Sequence, residues 1–170
     1  MVKNTSVASA IRSFFIAGDY DHQVLRAIFE NSGRGESLES DEYGEALNDV
    51  LESVRRSGHK IRFDYRDLTG FNFNHLDLSD ISAIGTKFPK KMFGVSLRRS
   101  ILTKADFTNS NLSNSNLEQS VMVGANLSFS NLANSSLTWA DLTGAKFMDT
   151  RLAGYAGVTT ATGICTDDEA

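Results

Sequence analysis

The sequence predicts a mainly-β solenoid over roughly its last two-thirds, preceded by an α-helical segment. Three observations predict it. From residue 61 on, a large apolar residue returns every five positions. A small residue stands two positions before most of these. Neither habit is present in the first 58 residues, where apolar residues recur at helical spacing instead.

In the helical segment, residues 1–58, Val7, Ala10, Ile11, Phe14 and Phe15 form one stripe, with Thr5 or Ser6 able to cap it and Gly18 beyond its end. Asp21 can open a second helix with Val24, Leu25, Ile28 and Phe29 on one side. Residues 31–37 (NSGRGES) have the composition of a linker. Ser40 can cap a third helix, striped by Tyr43, Leu47, Val50, Leu51 and Val54. Arg55 and Arg56 fall in its last turn, where cations suit the helix dipole, and Gly58 follows. These stripes predict a cap or small bundle over the solenoid's first edge, which would otherwise be bare.

The five-residue series runs Phe63, Leu68, Phe73 and Leu78, misses at Ala83 and returns at Phe88. After a slip of one residue it continues without a gap from Leu97 through Leu102, Phe107, Leu112, Leu117, Met122, Leu127, Leu132, Leu137, Leu142 and Phe147 to Leu152. Period five fits neither a helix nor a flat strand. The position two before is small in the second run (Ser100, Ala105, Ser110, Ser115 and onward). Alternating large and small residues suit a narrow interior. In the first run Arg66, Phe71, Leu76 and Ile81 hold that position, which predicts wider or irregular first coils. Between small and large stands Asp106, Asn111, Asn116, Asn126, Asn131 or Asp141, short polar side chains suited to bonding turn backbone.

Segments such as ADFTN, SNLSN, ANLSF, SNLAN and ADLTG resemble the pentapeptide-repeat family, whose consensus is A(D/N)LXX. The resemblance is specific over 95–154, weaker over 61–93 and absent over 1–58. It implies a right-handed quadrilateral β-helix, four repeats to a coil, with the Leu or Phe and the small residue pointing inward. Domain bounds follow: a helical cap or small interaction region over 1–58, the repeat β-helix over 59–157, and a tail over 158–170. At about 4.8 Å per coil the rod is about 20–25 Å long. Tyr155 is too large for the inward position it reaches and is expected to close the last coil.

Composition excludes several classes. The hydrophobic fraction is 41% and the charged fraction 22%, which suits a folded chain and not a disordered one. A single cysteine, Cys165, excludes an intramolecular disulfide framework. His22, His59 and His75 lack ligand spacing, so no metal site is expected. No apolar run is long enough to span a membrane. There is no Gly-rich phosphate loop and no nucleophile motif. Asp106 and Asp141 occupy the turn position of the repeat. The expectation is a non-enzymatic chain without cofactor or small-molecule substrate.

Function must then lie on outward positions. Six cations and no acid fall between Asp80 and Asp106: Lys87, Lys90, Lys91, Arg98, Arg99 and Lys104. The phase slip and the one proline, Pro89, lie in the same stretch, and FPKKMFG is expected to bulge from the coil as a solvated loop or as a docking site for an acidic partner. Twenty-residue stacking places Ile101 under Val121 beside Val123, with Arg99, Gln119 and Trp139 along the adjoining corner. Ile101, Val121, Val123 and Trp139 replace polar residues, so this side suits a protein partner or the chain's own helices. Expected partners are a protein or a second copy of the chain, and nucleic acid is not among them. The leading reading is a binding or scaffolding module in the cytoplasm. Family context offers two others: a DNA mimic that binds gyrase, and a secreted bacterial effector that binds a host protein. Mimicry needs an acidic surface, whereas residues 61–153 carry ten Lys and Arg against eight Asp and Glu, a net of +2.

Overall fold

A computed structural model describes residues 48, 51–52, 54–56, 58 and 60–154. Among them, residues 48, 51–52 and 54–56 are helical, and the rest of the described chain from Ile61 on is a four-sided β-helix. The two earlier helices, the caps at Thr5, Ser6 and Ser40, and Tyr155 with the tail lie outside the described residues.

Parallel bridges define the four faces. The outward ladder of the first face is Arg62, Ser82, Ile101, Val121, Asp141. The second is Asp67, Lys87, Asp106, Asn126, Lys146, and the third is Asn72, Lys91, Asn111, Asn131, Arg151. The fourth is Asp77, Ser96, Asn116, Ser136. Most inward residues donate their N–H to the coil above, as Leu102 does to the Val121 carbonyl at 2.7 Å. Above the first coil, most outward residues donate to the coil below, as Val121 does to Ser100 at 2.9 Å. The core is a stack of the inward Leu, Phe and Met residues, with Phe88 and Phe107 lying face to face at 4.4 Å.

Corners are turns closed by a bond from the fourth residue's N–H to the first residue's C=O, for example Ser100 to Leu97 at 3.2 Å. Their third residue has positive φ, the mark of a type II turn, and it is often not glycine: Arg99, Lys104, Gln119, Phe129 and Trp139 all adopt it. Asp or Asn on the outward ladder accepts the N–H two residues on, as Asp106 does from Thr108 and Asn131 from Ala133, so the expected turn role of that position holds. Glycine is required at a corner where the coil below lays a side chain across it. A Cβ on Gly85 would come within 2.9 Å of the Tyr65 ring, and one on Gly94 within 2.8 Å of His75.

Two expectations are corrected. FPKKMFG does not bulge. Pro89 is buried, Met92 points inward with no exposed surface, and Lys91 bridges both Asn72 below and Asn111 above. The slip is a four-residue step from Phe88 to Met92, which loses one residue at a corner. The unbroken run therefore starts at Met92, and coil-to-coil spacing falls to 19 where bridges cross the step, as in Asn72–Lys91. Pro89 fits because a corner asks no ladder bond of it; its carbonyl accepts the Ser110 hydroxyl at 2.8 Å. Ala83 also points inward and is fully buried.

Nor are the first coils irregular. Arg62, Asp67, Asn72 and Asp77 enter their ladders in register. Among the described residues no coil lies beneath the bulky Ile61, Phe71 and Leu76, and they share one core with Leu51 and Val54 of the helix. On the same side the helix satisfies the open edge. Asp77 N–H donates to Asn48 Oδ1 at 2.8 Å, where Ser96 one coil higher donates to the Leu76 carbonyl. Arg55 Nη2 donates to the Asp77 and Ser79 carbonyls, whose counterparts at Ser96 and Arg98 accept from Leu78 and Asp80. Two side chains thus make the bonds that backbone makes one coil higher, a stronger role for Arg55 than a dipole contact.

Candidate functional site: an apolar face with a charged rim

The first face departs from repeat grammar. Its ladder holds Ile101 and Val121 where the other faces mostly hold Asn, Asp, Ser or Lys. Both are exposed, at 44% and 38%. The next outward row is set by the same registers: Gly85 donates to the Thr103 carbonyl and Lys104 to that of Val123. This row brings half-buried Ile84 and Val123 beside the ladder. Trp139 stands at the corner leading into the face, 67% exposed, above Gln119 and Arg99. Tyr65, 77% exposed, and Lys104 stand on the opposite corner. The Lys104 stem lies along Gly124.

The structure thus brings together Ile101, Val121, Val123 and Trp139, with Arg99 and Lys104 on either rim. Sequence reading missed Ile84 and Tyr65. The four-residue step shifts their register, and only a 19-residue offset aligns Ile84 with Thr103. Phe129 and Met148, at 45% and 60%, form a separate exposed pair around the Phe129 N–H to Met148 carbonyl bond. Both replace polar outward residues, a signal that was readable.

The six cations do not form one patch. Lys87 lies on the second face, 3.9 Å from Asp67, and Lys91 on the third. Arg98 lies beside the fourth ladder, 3.6 Å from Glu118. Lys90 and Lys91 border a shallow depression of about 330 Å³ beside Phe71 and Asn72. Arg99 grips Asp80 with two bonds of 2.8 and 2.7 Å. That grip, chiefly the hydrogen bond and then the nearby positive charge, holds the Asp80 carboxyl below its ordinary range and raises the Arg99 guanidinium.

Asp106 and Asp141 each bind their own turn through Thr108 and Thr143. Among the described residues no three of His, Cys, Asp and Glu come together as a metal cluster, and no helix is long and apolar enough to cross a membrane. Among the described residues the arrangement is an exposed apolar face with charged side chains at its rim.

The family model "Pentapeptide repeats" matches residues 91–128 and 120–154. No curated protein sequence matches the chain. Among solved structures, the pentapeptide repeat protein Rfr23 from the cyanobacterium Cyanothece 51142 is similar at 18% identity and a TM-score of 0.57, over 62% of this chain and 86% of that one. A pentapeptide repeat protein from the Arabidopsis thaliana thylakoid lumen matches at 24% identity and a TM-score of 0.31, over 63% and 70%. QnrB1, a plasmid-mediated fluoroquinolone resistance protein, in a trypsin-treated variant form, matches at 21% identity and a TM-score of 0.43, over 64% and 55%. The five-residue register, the inward Leu and Phe stack and the matched segments agree: the solenoid is a right-handed β-helix, and over residues 91–154 it carries the repeats of the pentapeptide-repeat family.

Proposed function

We propose that the chain is a non-enzymatic, cytoplasmic protein-binding or scaffolding module, and that its first face is the binding surface. One observation carries this reading: Ile101, Val121 and Trp139 are exposed at positions where the repeat needs no apolar side chain. Aromatic and Arg residues around an apolar centre have the composition of an interface hot spot. Residues 1–58 serve in this reading as an α-helical cap, supported by the Asn48 and Arg55 contacts and by buried Leu51 and Val54. The outward charge of the repeats, net +2, does not support a DNA mimic.

The test is Trp139→Ala combined with Val121→Ser in the full chain, compared with wild type by affinity capture and by thermal melting. The expected result is loss of captured protein with the melting temperature nearly unchanged. A loss of about 1–3 kcal/mol of stability with capture intact would instead mean that the face packs against the rest of the chain, and would overturn the reading.

A further inference from the structure

The charges along the first face are arranged with direction. Its ladder reads Arg62, Ser82, Ile101, Val121, Asp141: a cation at one end, an acid at the other, and apolar residues between. Turned end for end, the row complements itself. We infer that the first face pairs with a second copy of this chain in an antiparallel, two-fold arrangement whose axis crosses the face at Ile101. This rests on the reading of that face as a binding surface and names its occupant.

The axis sets Ile101 against its own copy and Ser82 against Val121. It places Arg62 of each copy opposite Asp141 of the other, twice over. In the adjoining row Ile84 meets Val123. A two-fold contact of this kind closes at two copies. The opposite orientation, with the rods parallel, sets Arg62 against Asp64, a carboxylate it already holds within its own chain at 3.4 Å, and brings no cation across to Asp141. Like charges do meet at the rims in the antiparallel form. Arg99 faces its copy there, but each is neutralised by its own Asp80. The Lys104 pair lies at the edge, where long stems can part. A single face five coils tall is smaller than a standard interface, so association is weak, with half-dimerisation at roughly 100 µM.

Sedimentation equilibrium of the full chain from about 10 to 500 µM tests this. Wild type should dimerise with concentration, and added salt should weaken the dimer. Asp141→Asn keeps the oxygen that accepts the Thr143 N–H and removes the charge. It should weaken association about fivefold. Arg62→Glu and Asp141→Arg should each weaken it at least tenfold, and the two combined should recover to within about threefold of wild type. In a Cys165→Ser background, Ile101→Cys should give a disulfide-linked dimer under mild oxidation, whereas Val123→Cys should not. A monomer at every concentration, a dimer indifferent to Asp141→Asn, or cross-linking through residue 123 but not 101 would overturn the inference. If the chain stays monomeric while Trp139→Ala with Val121→Ser abolishes capture of another protein, the dimer fails and the binding face stands.

Discussion

The first coil and the third use one backbone register with opposite side-chain rules. In the third, the residues two before the inward stack are Ser100, Ala105, Ser110 and Ser115, all buried between coils above and below. In the first they are Ile61, Arg66, Phe71 and Leu76, the apolar three merging with Leu51 and Val54. A coil with two neighbours favours small residues there so that stacking at about 4.8 Å can close, and where the second coil holds Ile81 instead, its inward partner is the small Ala83. A coil with one neighbour needs bulk to fill the space beneath it. The rule belongs to the neighbourhood, not to the repeat.

The hardest blow to this comparison is a charge in the stack. Leu127→Lys, in a coil bounded on both sides, should abolish cooperative melting, a loss above about 4 kcal/mol. A variant that melts like wild type would remove the inward assignment. The fourth face sharpens the contrast within one column. Leu76→Ala should cost about 2–5 kcal/mol, while Ser115→Leu, two coils above, should cost about 1–3 kcal/mol through overpacking. If Ser115→Leu stabilises the fold in denaturant titration, the interior is not closed as described.

The edge itself comes next. Arg55→Ala leaves the Asp77 and Ser79 carbonyls without their stand-in donor and should cost about 1–3 kcal/mol. Hydrogen exchange should speed at the Asp77 and Leu78 amides while the Leu112 and Leu117 amides stay protected. Equal loosening of both regions would mean that the helix acts on the whole rod. Acid gives the smallest effect. Asp80 has a lowered pKa in the folded chain, so it adds stability above its unfolded value, 3.8, and loses it as pH falls through the folded value. The pair is half-exposed and screened by solvent, so little stability is at stake. The melting difference between wild type and Asp80→Asn should be small near neutral pH and fade as the pH falls below 3.8. A difference that grows on acidification would assign Asp80 another role.

Much of the rod was legible because its repeat is rigid. Leu102 to Leu152 fall inward as their spacing demands, and Asp106 and Asn131 bond the turns expected of them. Three things were not. Met92 hides one residue early because a deletion at a corner shifts phase without changing composition. Positive φ at Trp139, Phe129 and Arg99 carries no local signal, since glycine and asparagine are what normally announce it. Arg55 reads as one more cation at a helix end, because nothing local in a sequence says which carbonyls a guanidinium will reach. Of the candidate site, Ile101, Val121, Val123 and Trp139 were readable from 20-residue stacking. Ile84 and the dispersal of the six lysines and arginines followed only from the true register.

The four-residue step between Phe88 and Met92 also says where this rod tolerates a change in chain length. One residue is lost there, yet Lys91 keeps its bridges to Asn72 and Asn111, and the stack passes from Phe73 to Met92 to Leu112, all three buried. Faces are bound by the spacing of their ladders, whereas this corner has given up one residue with the ladders on either side still in register. Residues 89 and 90 therefore mark a graft point: a peptide spliced in at that corner would ride outside the ladders, displayed from a fixed height on a stiff post, while every coil above and below keeps its place.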